Sequence, residues 1–497
     1  MSTGIPGLDH LLRGGLPQGM TYLIHGGPGT GKTTLGFQFL LEGVRRGERV
    51  LYASLLQTRS ELEMVIRSHG WSLEGIDLLE LPDNIRQRST DEQTLFSPGD
   101  IELHEVTDVI LQAIQKHRPQ RLVFDSITEL AVLVDSRYQL RRQMLKLKQQ
   151  LSDTGCTTLF TVNDTEAVDL PSIQTAVHGV LEMGIHRPKY GPPARWVEAT
   201  KMRGLNYLGG RHDLGLQTGG IVVFPRLEIH HRDRQPQWTL ISSGNVELDA
   251  LFGGGLEEGT ACLITGTTGA GKSTLASVYV SAAAERGDRS IIFCFDERKH
   301  TFLRRSEELG MGFVRKIEQG LVDLRQVDVG ALMPGEFAEQ IRYAVDERGV
   351  KVVVIDSIGG YLNAMPEQQQ LIVQLHELLS YLGEAGVLTI LIMPMHGLGS
   401  IGSGLDLETS YIADTVVMMR HFEAVGEVRR CVSVLKKRHG HHERTIREIT
   451  IGRGGVHVGP SLVDFQRTLS GTPEFIGHRE KLMQEREDSG RDNDSAN

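Results

Sequence analysis

Short β-branched and apolar runs alternate along this chain with longer segments of helical period, a rhythm that predicts parallel α/β architecture. In the first half the expected strands are Thr21–His25, Val50–Ser54, Arg121–Asp125 and Thr157–Val162. In the second half they are Ala261–Thr265, Ser290–Phe295, Lys351–Asp356 and Val387–Met393. Runs this uniformly apolar suit sheets covered by helices on both faces. Helical patterns fall at Thr34–Arg45, Ser60–Ser68, Val106–Lys116, Tyr138–Ser152 and Thr274–Arg286. The rhythm stops near Ile229–Ile241, where His230-His231-Arg232-Asp233-Arg234-Gln235-Pro236 has no period, and this marks the seam between two domains. Residues 1–230 and 231–477 are therefore expected to fold separately. The charged, polar segment His478–Asn497 is expected to be a mobile, disordered tail.

The two halves repeat one another in detail. Gly26-Gly27-Pro28-Gly29-Thr30-Gly31-Lys32-Thr33 and Gly266-Thr267-Thr268-Gly269-Ala270-Gly271-Lys272-Ser273 both fit the phosphate-loop pattern G-x-x-x-x-G-K-[ST]. Each follows an expected strand and opens a helix, at Thr34 and Thr274, which is the setting the motif requires. In that setting backbone N–H groups turn toward phosphate oxygens and the helix N-terminus adds positive potential. The lysine reaches the β- and γ-phosphates of ATP and the hydroxyl residue, Thr33 or Ser273, holds Mg2+. Upstream, Gly4-Ile5-Pro6-Gly7-Leu8-Asp9 with Gly14-Gly15-Leu16 is answered by Gly244-Asn245-Val246-Glu247-Leu248-Asp249 with Gly254-Gly255-Leu256. Downstream, two apolar runs end in Asp125-Ser126 and Asp356-Ser357, and each places a carboxylate at a strand's C-terminal edge as a second metal-holding group. Lys201-Met202-Arg203 is answered by Lys436-Lys437-Arg438. Four landmarks in one order define a duplicated domain.

Composition narrows the class without changing this picture. A length of 497 residues gives each half enough chain for its own core, and 39% hydrophobic with 23% charged residues describes an ordinary globular protein. The formal net charge of −10 argues against a dedicated duplex-DNA binder. The basic stretch Arg137–Lys148 reads as one solvated helix face. Four cysteines without a C-x-x-C pair give neither a zinc site nor a disulfide framework. Neither a basic-then-apolar N-terminal segment nor a long apolar run is present, so a cytoplasmic, non-membrane protein is expected.

Taken together, the duplicated P-G-L-D and G-G-L segments, phosphate loops, Asp-Ser strand ends and K-x-R segments resemble the KaiC family of RecA-like ATPases. The resemblance spans about residues 3–475, including the closing Leu469-Ser470-Gly471-Thr472-Pro473. It implies two tandem RecA-like domains, each a mainly parallel sheet flanked by helices. It also implies a homo-oligomer, a hexamer of stacked double rings with ATP between subunits. Slow hydrolysis is implied as well, and in clock members autophosphorylation of the second domain by serine/threonine kinase chemistry.

The catalytic groups are not symmetric. Hydrolysis needs a carboxylate to orient or deprotonate the nucleophile. In the second half the strand Ser290–Phe295 runs into Asp296-Glu297, where the resemblance puts paired catalytic acids, with Glu297 favoured as base and Asp296 on a shorter arm. In the first half the equivalent stretch is Leu55-Leu56-Gln57, so both acids are gone. The first domain is therefore expected to bind ATP tightly and hydrolyse it poorly. A shifted register carrying Glu61 or Glu63 to the site is the competing expectation. Lys201 with Arg203, and Lys436 with Arg438, lie two apart and point the same way, suited to reach a neighbouring subunit's γ-phosphate as the resemblance implies. The family's tandem phospho-acceptors align with Ser410 and Tyr411, which makes Ser410 the candidate acceptor. His439, His441 and His442 read as exposed residues rather than metal ligands.

The leading reading is a signalling or timing ATPase, docking a small regulatory protein or a sensor kinase. The alternatives are a DNA-dependent motor or recombinase on the same core and a nucleotide-gated scaffold.

Overall fold

A computed structural model describes residues 1–55, 57–80, 98–132, 137–165, 169–187, 192–228, 239–328, 332–363, 368–395, 411–424, 426–453, 455–466, 468 and 474–476. Leu56, most of the Ile229–Ile241 seam, Ser410, the segment Leu469–Pro473 and the tail His478–Asn497 lie outside these residues.

The chain divides into two compact units, Met1–Arg226 and Leu227–Asn497. In the first unit, strands β1 (Thr21–Gly26), β2 (Val50–Ser54), β3 (Asp77–Glu80), β4 (Arg121–Asp125), β5 (Thr157–Asn163), β6 (Gly179–His186), β7 (Ala194–Met202), β8 (His212–Gln217) and β9 (Gly220–Phe224) form one sheet. Its order is β3-β2-β4-β5-β1-β6-β7-β8-β9. Pairing is parallel from β3 through β6 and antiparallel beyond. The four expected strands are β1, β2, β4 and β5 of the parallel part, which β3 and β6 complete without being expected. β1 and β5, with nearly every residue buried, sit at its centre because both faces are covered. One apolar cluster, including Phe37, Phe39, Tyr52 and Leu159, fills one face, and a second, including Phe124, Leu147 and Phe160, fills the other.

The second unit repeats this arrangement. After a two-stranded ribbon of β10 (Leu240–Ile241) and β11 (Leu256–Glu257) come β12 (Ala261–Gly266), β13 (Arg289–Cys294), β14 (Val322–Gln326), β15 (Val350–Asp356) and β16 (Leu388–Pro394). β17 (Thr415–Ala424), β18 (Glu427–Lys437), β19 (Arg447–Gly452) and β20 (Gly455–Ser461) complete a sheet of order β14-β13-β15-β16-β12-β17-β18-β19-β20. A last ribbon pairs β21 (Phe465–Gln466) with β22 (Glu474–Phe475). The order is that of the first sheet, strand for strand. These are the two tandem RecA-like folds that the repeat predicts.

In both units the central strand, β1 or β12, runs directly into the phosphate loop and then a 14-residue helix, Lys32–Arg45 or Lys272–Glu285. Gly31 (φ 107°) and Gly271 (φ 102°) precede these helices in the left-handed region, which a side chain would disfavour. The loops thus emerge at the carboxyl edge of the sheet, where ligands of open α/β sheets bind. Among the described residues no helix is long and apolar enough to cross a membrane.

Candidate nucleotide sites

Each loop lines a cavity. In the first unit it has a volume of about 310 Å³ and is lined by Pro28, Gly29, Gly31, Lys32, Thr33, Thr34, Gln57, Asp125, Ser126, Asn163 and Leu216. In the second it is about 660 Å³, lined among others by Thr268, Gly269, Gly271, Lys272, Ser273, Thr274, Asp296, Arg305, Asp356 and Arg430. Both volumes fall in the range of small-molecule sites.

The loop lysines are folded onto their own loops. Lys32 Nζ donates to the carbonyls of Gly26 (2.7 Å) and Gly27 (2.9 Å), and Lys272 Nζ to those of Gly266 (2.9 Å) and Thr267 (2.8 Å). Burial lowers both lysines' pKa, and the carboxylates of Asp125 and Asp356 oppose that shift. A cation held at a loop of inward-facing N–H groups is what a polyphosphate requires.

Asp125 and Asp356 stand at the C-terminal ends of β4 and β15, and the Asp–Ser peptide that follows is cis in both. Thr33 Oγ1 donates to Asp125 Oδ2 (2.9 Å), and burial raises the pKa of Asp356 while its hydrogen bond with Ser273 lowers it. A hydroxyl and a carboxylate are hard oxygen donors, and this pair fits Mg2+, whose shell phosphate and water would complete. Among the described residues no larger cluster of His, Cys, Asp or Glu converges as a metal cage.

The acid positions differ as the residues differ. Leu55 N–H donates to Asp125 O (3.0 Å) and Phe295 N–H to Asp356 O (2.7 Å), so Gln57 occupies the place of Glu297. Gln57 lines the first cavity, in a turn closed by Ser54, whose hydroxyl donates to the Gln57 carbonyl (2.7 Å). Glu61 instead accepts from the Thr58 N–H (2.7 Å), capping its own helix, and Glu63 pairs with Arg59 (3.2 Å) and Arg67 (3.3 Å). Neither lines the first cavity. In the second unit Asp296 lines the cavity and accepts from the Ser357 hydroxyl (2.5 Å). Glu297 accepts from Arg305 Nη2 (2.8 Å).

The K-x-R cations are not brought to the loops of their own unit. Lys201 Nζ donates to the carbonyls of Gln174 (2.5 Å) and Val177 (2.9 Å), and Arg203 to that of Thr175 (3.3 Å). Lys436 donates to Ala413 O (2.8 Å) and Arg438 to Tyr411 O (2.6 Å). Tyr411 itself is exposed.

Several groups at the sites escaped the sequence reading. Arg195 Nε donates to Gly29 O (3.0 Å) and Arg430 Nε to Gly269 O (3.2 Å), which adds a second cation to each loop. Their signal was present, since each arginine stands six residues before the lysine of its K-x-R segment. Tyr52 and Thr161 also donate to Asp125 (2.6 Å to Oδ2 and 2.5 Å to Oδ1). Their side chains sit within strands that read simply as core. His421 Nδ1 lies 3.1 Å from the Thr267 hydroxyl, and burial chiefly lowers its pKa.

Comparison with known proteins agrees with this geometry. The family model described as "ATPase: KaiC" matches residues 1–228 and again 241–463. The circadian clock oscillator protein KaiC of Acaryochloris marina is 28% identical over 499 residues, covering 96% of this chain and 92% of that protein. The proteins of the same name from Synechococcus elongatus (28% identical, 97% and 93% covered) and Prochlorococcus marinus (29% identical, 97% and 97% covered) are similar over the same extent. With the family model matched twice, once on each RecA-like unit and its phosphate loop, this chain belongs to the KaiC family of ATPases.

Proposed function

We propose that this protein is an ATP-hydrolysing signalling or timing ATPase in which the second domain carries most turnover and the first chiefly binds nucleotide. The observation that carries this reading is the contrast at one structural position. There the second unit has Glu297, next to the cavity-lining Asp296 and held by Arg305, and the first has Gln57, which lines its cavity and can orient water but cannot take its proton. Mg·ATP is the substrate complex, with Thr33 and Asp125, or Ser273 and Asp356, holding the metal.

Lys201, Arg203, Lys436 and Arg438 act on the nucleotide of a neighbouring subunit, in a hexamer of stacked rings. Their distance from the loops of their own unit supports that role. In this reading Ser410 is the acceptor for autophosphorylation, and a small regulatory protein or a sensor kinase reads the state of the ring in the cytoplasm. The names of the relatives, clock oscillator proteins, favour timing over a DNA-driven motor.

Phosphate release tests the division of labour. Glu297→Gln is expected to lower the rate about 100-fold or more, as loss of a general base does. Gln57→Glu should raise it. An unchanged rate in Glu297→Gln would overturn the reading. Incubation with Mg·ATP followed by mass spectrometry over residues 400–415 tests Ser410, and absence of phosphate there removes the kinase step. Dilution below the assembly concentration should extinguish turnover if the cations act between subunits.

A further inference from the structure

Arg305 is a charged group in the second cavity that belongs to neither the phosphate loop nor the acid pair. It projects from the helix Lys299–Glu308 into the cavity wall. Its Nη1 donates to Thr274 Oγ1 (3.0 Å) and its Nη2 to Glu297 Oε2 (2.8 Å). Its Nε is buried and has no partner among the described residues, while the guanidinium lies over the Phe302 ring at 5.3 Å from the centroid.

Thr274 is the third residue of the helix that opens at Lys272, so its backbone N–H belongs to the first turn, whose donors have no intrahelical acceptor and face an incoming phosphate. Arg305 is thus held against the donors that cradle the phosphates. A planar guanidinium with an uncommitted N–H is well suited to phosphate oxygens.

A plain structural ion pair does not explain this arrangement. The pair is about 30% exposed on the arginine side and 26% on the glutamate side, and such pairs contribute little stability. The first unit dispenses with the cation altogether. Ser54 and Cys294 pair with the matching residues Asp125 and Asp356, so the helices Arg59–Ser68 and Lys299–Glu308 align with Val65 opposite Arg305. There the Thr34 hydroxyl meets His69 Nε2 (3.4 Å) instead. Arg305 is present where an acid pair is present, and absent where it is not.

We propose that Arg305 is a nucleotide-phosphate ligand of the second pocket, exchanging Glu297 for phosphate as nucleotide enters. One guanidinium then serves two anions in turn. Phosphate binding releases the Glu297 carboxylate, so the acid becomes available only when nucleotide is in place. The inference rests on the reading of this cavity as a nucleotide site, and it adds a ligand and a binding-linked control of the base.

Equilibrium binding of ADP to the full chain tests it, with two classes of site expected in the wild type. Arg305→Gln should weaken one class about 10- to 100-fold, the range of a charge-assisted contact, and leave the other alone. Arg305→Lys, a point charge without the fork, should recover part of that loss. Glu297→Gln should tighten the same class several-fold, because the competitor for the guanidinium is no longer an anion. A merely structural pair would make both single variants weaken binding together. Unchanged ADP binding in Arg305→Gln, or equal weakening in Glu297→Gln, would overturn the proposal. A wild type that binds only one ADP per chain would overturn the nucleotide reading of the pocket first, and this inference with it.

Discussion

In the first unit three hydroxyls, from Thr33, Tyr52 and Thr161, converge on Asp125. In the second, strand register puts Ile292 where Tyr52 stands and Ile392 where Thr161 stands, and Asp356 keeps the hydroxyl of Ser273. Burial correspondingly raises the pKa of Asp356. The second pocket instead has Asp296 and Arg305 in its wall, with Glu297 paired to Arg305, and the positions matching Glu297 and Arg305 in the first unit hold Gln57 and Val65. The duplicated loops are therefore embedded in two different chemistries. One surrounds a strand-end carboxylate with three hydroxyls, and the other places a carboxylate and a guanidinium in the cavity wall. The shared motif makes the two loops alike, and the difference between the pockets lies in the residues around them.

The largest effect should come from the loop lysines. Lys272→Ala removes the loop lysine from the pocket beside the acid pair, and phosphate release should fall about 100-fold or more, as when a preorganised transition-state contact is lost. Lys32→Ala should cost a smaller share of turnover while lowering nucleotide stoichiometry. A greater loss in Lys32→Ala than in Lys272→Ala would invert the comparison.

A second contrast concerns stability. Arg121 is fully buried on β4, donates to Ser2 O (2.7 Å) and Phe39 O (2.8 Å), and pairs with Glu48. The matching position on β15 is the apolar Val352, and the second unit ties down its own N-terminal segment from a different strand, through the buried Lys437, which pairs with Glu257 and donates to the Phe252 carbonyl (2.5 Å). Arg121→Met leaves Glu48 without its partner and should destabilise the first unit by about 3 kcal/mol. Chemical denaturation followed by probes in each unit should show the second transition unmoved. Coincident shifts in both would mean that the two units unfold as one.

Much of this was legible in the chain because it is local. β2 and β4 match their expected bounds, and both phosphate loops open helices as their glycines and lysines demand. The Asp125 and Asp356 strand ends face those loops. The strands β6 to β9 and β17 to β20 are not legible in the same way, since β8, β19 and β20 are short and mix buried with half-buried positions, which leaves weak periodicity. Tyr52 reads as one more apolar strand residue, and only its pairing with the neighbouring strand shows the hydroxyl at Asp125. Arg305 lies on the helix Lys299–Glu308, which is not among the expected helices, and its reach to Thr274 and Glu297 appears only when that helix is packed. What stays hidden is the meeting of side chains from separate strands and helices, which spacing alone does not encode.

The smallest predicted effect tests the hydroxyl clamp itself. Tyr52 stacks on Phe37 with centroids 4.4 Å apart and planes 3° from parallel, so Tyr52→Phe keeps the ring and removes only the O–H that donates to Asp125. Two donors, Thr33 and Thr161, remain on that carboxylate, and the loss should be about 1 kcal/mol of first-unit stability. Thr161→Val should behave alike, and the double variant should exceed the sum if the two hydroxyls act on one group. Phosphate release from the second pocket should not change in either single variant, since Ile292 and Ile392 already do without these hydroxyls. Denaturation midpoints read the first effect, and a phosphate assay reads the second. Strict additivity with no stability loss would reduce Tyr52 and Thr161 to ordinary core residues, leaving the acid position and Arg305 to distinguish the pockets.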